Sequence, residues 1–262
     1  MFLLQKDSNN LLPIEYAIWK ELLDFSKTKY IELSTNELSL LTKENLLLKY
    51  NTPFERCIPL GTIEFTNLFF KTFYNIEKMN PIEVPNCLRT EEFLKRKYSI
   101  VKGTDIPTEG RFFIKNVSDL KSFTFSGDIN YFLNEKNNLP QIDKNKFYQV
   151  SEIIDIISEY RIYVISGKIY AIAYYDGDPC VFPDINLINK ANIIYSFEKD
   201  YPHSYTMDIA ITPEGTCILE VHPLFSCGIY QTVLGTGFLQ GYKDSKEYIL
   251  KHNTAPIEFS NF

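Results

Sequence analysis

Two acidic residues, Asp208 and Glu220, stand inside otherwise apolar runs, SYTMDIAI (204–211) and TCILEVHPL (216–224). Between the runs lies Thr212-Pro213-Glu214-Gly215, a turn composition, so the two pair as a hairpin. Asp208 is four residues before Thr212 and Glu220 five after Gly215, which makes them cross-strand neighbours offset by about one position of register. Burying an unpaired carboxylate is costly. Two facing carboxylates repel unless a cation sits between them. Such oxygen ligation suits Mg²⁺ held jointly with substrate phosphates. The alternative turns one acid to solvent or pairs it with a Lys or Arg.

Two cations invite the same question. Lys115 lies within RFFIKNV (111–117), a strand by its aromatic and β-branched content. It either snorkels at a sheet edge or delivers positive charge to a phosphate. Arg161 follows Glu159 and Tyr160 at the start of a second hairpin. It either clamps a phosphate or carboxylate bidentately, or forms a surface pair with Glu159.

The elements that must position these groups are partly legible. PIEYAIWKELLDF (13–25) places Ile14, Ala17, Ile18, Leu22 and Phe25 on one helical face. KYIELS (29–34) reads as a strand, 38–50 is ambiguous, and Ile58-Pro59-Leu60-Gly61 breaks the pattern before a helix over 62–73. Asn80-Pro81 and Val84-Pro85 mark a connection. TEEFLKRKYS (90–99) predicts a short helix capped by Thr90, acidic early and basic late. A loop follows at 118–130, and FYQVSEIID (147–155) is a strand. YRIYVISGKIYAIAYYDGD (160–178) is a hairpin turning at Ser166-Gly167-Lys168. Residues 184–197 predict a helix over the sheet, and another falls near 246–251.

Composition sets outer bounds. With 27 basic and 33 acidic residues the formal charge is −6, which argues against a nucleic-acid surface but leaves room for one nucleotide. Five cysteines, odd in number and never in CxxC spacing, predict neither a disulfide framework nor a thiolate metal site. No apolar run reaches the ~7–15 residues of a signal peptide or the ~18 of a membrane span, so the expectation is a cytoplasmic protein without a membrane partner.

Taken in order, the lysine strand FIKN (113–116), the loop KSFTFSG (121–127), QVSE (149–152), EYR (159–161) and MDIA…ILEVH (207–222) resemble the ATP-grasp superfamily. More narrowly, they are similar to its small phage and bacterial clade named for two arginines and a lysine, as is PLGTIEFTN (59–67). The resemblance implies an α+β fold with two lobes clamping ATP, 86–148 and 149–250, within an ATP-grasp domain over 86–262, preceded by a small α/β region over 1–85. It implies an ADP-forming carboxylate–amine ligase acting on small-molecule or peptide substrates through an acyl phosphate. A phosphotransferase or a non-catalytic nucleotide-binding module on the same fold are the alternatives. It assigns Lys115 and Lys121 to ATP phosphates, and Val150, Glu152 and Ile153 to the adenine linker. Glu159 goes to the ribose or to Arg161, and Arg161 to the transferring group. Arg89 or Arg111 is the second arginine, and Asp208 and Glu220 are the Mg²⁺ ligands. Asn116 replaces the family's usual proline. His222 replaces its usual asparagine ligand, and is either a ligand that admits Mn²⁺ or a structural histidine.

Overall fold

A computed structural model of the chain describes residues 1–6, 13–119, 123–133, 142–230 and 235–253. The described residues form three sheets. The first is parallel, in the order β2-β1-β3, from β1 (Phe2–Gln5), β2 (Tyr30–Leu33) and β3 (Ile58–Leu60). It carries the helices α1 (Pro13–Phe25), α2 (Thr35–Ser39), α3 (Lys43–Tyr50) and α4 (Ile63–Tyr74). All four residues of β1 are buried, as expected for the centre strand of a parallel sheet. Ile58-Pro59-Leu60, read from sequence as a break, is an edge strand, where a residue without an N–H is tolerated. On α1 the buried stripe is Ile18, Trp19, Leu22 and Leu23, whereas Ile14 and Phe25 are exposed. The expected face is therefore rotated. Thr62 caps α4 by accepting from the Phe65 N–H, and Phe65, Phe69, Phe70 and Phe73 pack into the core.

The second sheet is antiparallel, in the order β4-β7-β5-β6: β4 (Tyr98–Lys102), β5 (Arg111–Asn116), β6 (Thr124–Asp128) and β7 (Phe147–Ser151). The helix expected over 90–99 is shorter. α5 (Glu91–Leu94) ends at left-handed Lys95, and Tyr98 onward joins β4. A short helix, α6 (Ile129–Leu133), follows β6, and the sheet has its own small core of Ile106, Ile114, Ile129, Tyr148 and Val150.

The third sheet is antiparallel in the order β11-β10-β8-β9: β8 (Ser158–Ile165), β9 (Lys168–Gly177), β10 (Tyr205–Thr212) and β11 (Gly215–Pro223). β8 and β9 turn through Ser166 and Gly167, both at positive φ (49° and 79°), the two-residue turn whose twist suits a hairpin. One face of this sheet is apolar: Tyr160, Ile162, Val164, Tyr205, Met207 and Ile209 are buried beneath α5, residues 82–88 and α7 (Ile185–Tyr195). The other face divides along its length. At one end Tyr163 and Ile165 join the core of the first sheet and of α8 (Phe238–His252). At the other end it carries Glu159, Arg161, Asp208 and Glu220 toward the site.

This layout shifts two expected boundaries. The division at 148/149 falls inside β7, and the chain crosses between sheets over 152–157, so the predicted strand 147–155 ends at Ser151. Residues 82–94 pack into the core of the third sheet. The first region packs against the end of the chain: Lys246 on α8 donates to the carbonyls of Glu55 and Cys57, and the Trp19 indole to the Tyr242 hydroxyl. Among the described residues no helix is long and apolar enough to cross a membrane.

Candidate active site

Three charged residues occupy one rung of the third sheet. Arg161 on β8 lies opposite Asp208 on β10, and Asp208 lies opposite Glu220 on β11. The offset expected between the acids is absorbed by a β-bulge: Asp208 pairs with Glu220 and Ile209 with Ile218, which leaves Leu219 extra. Arg96 holds that bulge. Its guanidinium donates to the carbonyls of Leu94, Ile218 and Leu219, at 2.8 to 3.2 Å. The turn chemistry announces the hairpin, but nothing local announces the bulge or its arginine.

Arg161 does not pair with Glu159. Its Nε and one terminal nitrogen donate to the two oxygens of Asp208 at 2.8 and 2.7 Å, and the other terminal nitrogen donates to the Gly228 carbonyl. Arginine and aspartate are only 6% and 5% exposed. The structure thus gives Arg161 the task of fixing Asp208, two of its five N–H groups being left over among the described residues. Glu159 instead accepts from the Tyr175 hydroxyl, and burial raises its carboxyl.

His222, two residues along β11 from Glu220, donates from Nε2 to Glu220 at 2.7 Å. Burial alone would raise the Glu220 carboxyl. The His222 hydrogen bond and the Lys115 charge outweigh it and hold it at about 2. Lys115 is no edge residue. β5 is flanked by β7 and β6, and the ammonium lies 3.4 Å from Glu220 and 3.6 Å from Glu83. Burial disfavours its charge, but the two carboxylates more than compensate, so its pKa is raised.

Asp208, Glu220 and His222 each offer a ligand atom, all within 4.8 Å of one another. The donor set fits a divalent ion. A carboxylate oxygen has two lone pairs, so Asp208 can accept from Arg161 and still ligate. A dication would also replace the proton that His222 shares with Glu220. Carboxylates favour Mg²⁺, and an imidazole widens the choice toward Mn²⁺.

Two cavities meet at these acids. One of about 360 Å³ is lined by Gln149, Glu152, Ile153, Ile156 and Glu159 among others, the second of about 270 Å³ by Glu83, Lys115, Arg161 and His222 among others. Thr124, Asp208 and Glu220 line both. Ile153 and Ile156 are 40% and 43% exposed, an apolar wall suited to a planar base. Glu152 accepts from the Lys97 N–H and so ties the crossing segment to the end of β4. Val150 needs correction as a linker residue. It is in the small core of the second sheet, paired with Ser99 on one side and Ile114 on the other, so its backbone serves the ladders. Lys121 lies outside the described residues. Asn116 shapes its loop by accepting from the Ser118 N–H. Of the expected second arginines, Arg89 donates to the Val84 carbonyl near Tyr98, and Arg111 is exposed opposite Asp128.

A family model matches residues 93–235: the ATP-grasp domain, family 2 of the clade named for two arginines and a lysine. This chain belongs to that ATP-grasp clade. Lys115, Arg161, Asp208, Glu220 and His222 all fall within the matched span. Solved structures share the fold at low identity. D-cycloserine synthetase DcsG aligns with a TM-score of 0.54 at 10% identity, over 94% of this chain and 99% of its own. The D-alanine–D-alanine ligase of Bacillus anthracis, complexed with ATP, gives 0.52 at 12%, over 96% and 95%. The L-amino acid ligase of Bacillus licheniformis gives 0.51 at 11%, over 100% and 76%. No curated protein matches. The ATP-grasp assignment and the α+β fold class thus stand as read from the motif order.

Proposed function

We propose that this ATP-grasp protein is a carboxylate–amine ligase, forming an amide or peptide-like bond through an acyl phosphate and releasing ADP. The observation that carries it is the meeting of two cavities at one pair of carboxylates. A nucleotide cleft and a separate acceptor chamber share Asp208 and Glu220, and Lys115 reaches the same point from the other lobe.

In this reading the cleft takes adenine against Ile153 and Ile156, and Glu159 meets the ribose. Asp208, Glu220 and His222 hold a divalent ion, which when bound supplies positive charge to the phosphate oxygens. A substrate carboxylate attacks the γ-phosphorus; the bond to the β–γ bridging oxygen breaks, and ADP leaves. Lys115 contributes fixed charge where the transferring group becomes more anionic. Arg161 keeps Asp208 in place, and its two free N–H groups can receive the acyl phosphate. The lobes exclude water, which otherwise hydrolyses that intermediate. An amine then displaces phosphate.

The test is ADP release in the presence of Mg²⁺ or Mn²⁺ across a panel of amino acids, dicarboxylic acids and short peptides, with hydroxylamine as trapping nucleophile. A hydroxamate that depends on both ATP and one carboxylate supports the ligase. ADP release that yields a phosphorylated hydroxyl and no hydroxamate refutes it. Asp208→Asn should abolish hydroxamate formation in a chain that still folds.

A further inference from the structure

Glu83 belongs to no motif and lies outside the span the family model matches. Residues 81–85 carry neither helix nor strand, and Ile82 and Val84, on either side of Glu83, are 7% and 1% exposed in the core under the third sheet. Burial alternates over 82–84, with Glu83 the less buried residue between two core residues. Glu83 accordingly lines the 270 Å³ cavity, its side chain only 9% exposed.

Four carboxylates line that cavity, and three are well supplied with cations. Arg161 takes both oxygens of Asp208, His222 and Lys115 hold Glu220, and Lys146 lies 2.6 Å from Asp119. Glu83 has, among the described residues, only Lys115 within 4 Å, a lysine it shares with Glu220. A buried carboxylate with half a cation is short of positive charge. We propose that Glu83 is the amine site: it binds the ammonium group of the second substrate, removes one proton, and presents the free amine to the acyl phosphate. This deepens the ligase reading and rests on it.

The proton balance closes. The ammonium gives one proton to Glu83. The nitrogen lone pair forms the C–N bond at the acyl carbon, the C–O bond to phosphate breaks, and phosphate leaves with that electron pair and the second amine proton. Glu83 returns its proton to solvent as product departs. The charged groups that act on Glu83 are Lys115 on β5, Glu220 on β11 and Arg89, which follows residues 81–88. Burial first, then the charge of Glu220, prevail over the two cations and raise its carboxyl to about 7, a value suited to a base near neutral pH.

The experiment compares two kinds of nucleophile on the full chain with Mg²⁺ and ATP, using the carboxylate that the hydroxamate screen selects. One is hydroxylamine, which attacks as a neutral molecule. The others are ethylamine, glycinamide and cadaverine, which arrive as ammonium ions. Glu83→Gln should lower amide formation on the order of 10²-fold more than hydroxamate formation. Glu83→Asp should recover part of the difference. The acidic limb of the wild-type amide profile should vanish in the glutamine variant. Urea unfolding establishes that each variant is folded. Equal loss of both products, or loss of neither, overturns the proposal, as does a wild type that forms hydroxamate but couples none of the three amines. A wild type that makes no hydroxamate refutes the ligase reading itself and the amine site with it.

Discussion

Replacing Arg161 with methionine removes both hydrogen bonds that Asp208 receives from the guanidinium while filling similar space. Asp208 is 5% exposed, so water can take over only from the cavities it lines. The other contact of Arg161 is expendable, because the Tyr163 hydroxyl also donates to the Gly228 carbonyl at 3.1 Å. The loss therefore falls on one stranded charge. Two charge-assisted hydrogen bonds at about 1.5–3 kcal/mol each set the scale, and breaking a buried pair from one side costs about 3–5 kcal/mol. The imidazole of His222, 3.8 Å from Asp208, offsets part of it. About 3–4 kcal/mol remains, equivalent to a Tm lower by roughly 10 °C at about 2–4 °C per kcal/mol. Urea unfolding of Arg161→Met, Asp208→Asn and the double variant gives the coupling directly. Neutralising the stranded aspartate should return half the loss or more, so the double variant should be more stable than Arg161→Met alone. A single-variant loss below about 1 kcal/mol, or a double variant less stable than either single, would refute the argument that Arg161 exists first to hold Asp208.

Other consequences are as direct. Arg96→Leu strands three carbonyls and frees the bulge, so the Mg²⁺ concentration needed for half-maximal ADP release should rise at least about tenfold, measured by metal titration. With divalent ions chelated, Glu220 contributes stability that is present above its unfolded value of 4.5 and is lost as pH falls toward about 2. Glu220→Gln should flatten the unfolding free energy over that window. The raised carboxyl of Glu83 acts in the opposite sense: the folded state binds the extra proton between 4.5 and about 7, so stability falls as pH rises through that range. Glu83→Gln should be more stable than wild type at pH 8, by urea unfolding. Gly177→Ala places a left-handed alanine (φ 86°) with its Cβ against the Ile157 carbonyl oxygen, and should cost about 1–3 kcal/mol in the same measurement.

What the sequence shows and what it hides follow one physical division. The two hairpins of the third sheet are legible because alternation and turn composition are local, as in Ser166-Gly167 and Thr212 to Gly215. β1 is not, since a buried parallel strand such as FLLQ has no alternation to distinguish it from any short apolar run. The Asp208–Glu220 pair is readable only to within one residue, because counting from a turn assumes a regular ladder. The bulge at Leu219 is fixed from outside, by an arginine on a segment whose acidic-then-basic pattern promises a longer helix. Arg96 leaves that helix because its guanidinium is needed by β11, more than a hundred residues away. Glu83 is hidden the same way. Between two prolines it reads as a connector, and only the alternation of Ile82 and Val84 around it hints that the connector is packed. A charge in a motif declares its chemistry through its neighbours in sequence, whereas Arg96 and Glu83 acquire theirs from tertiary partners alone. It follows that a variant at either position should disturb the site while leaving every local signal of the fold intact.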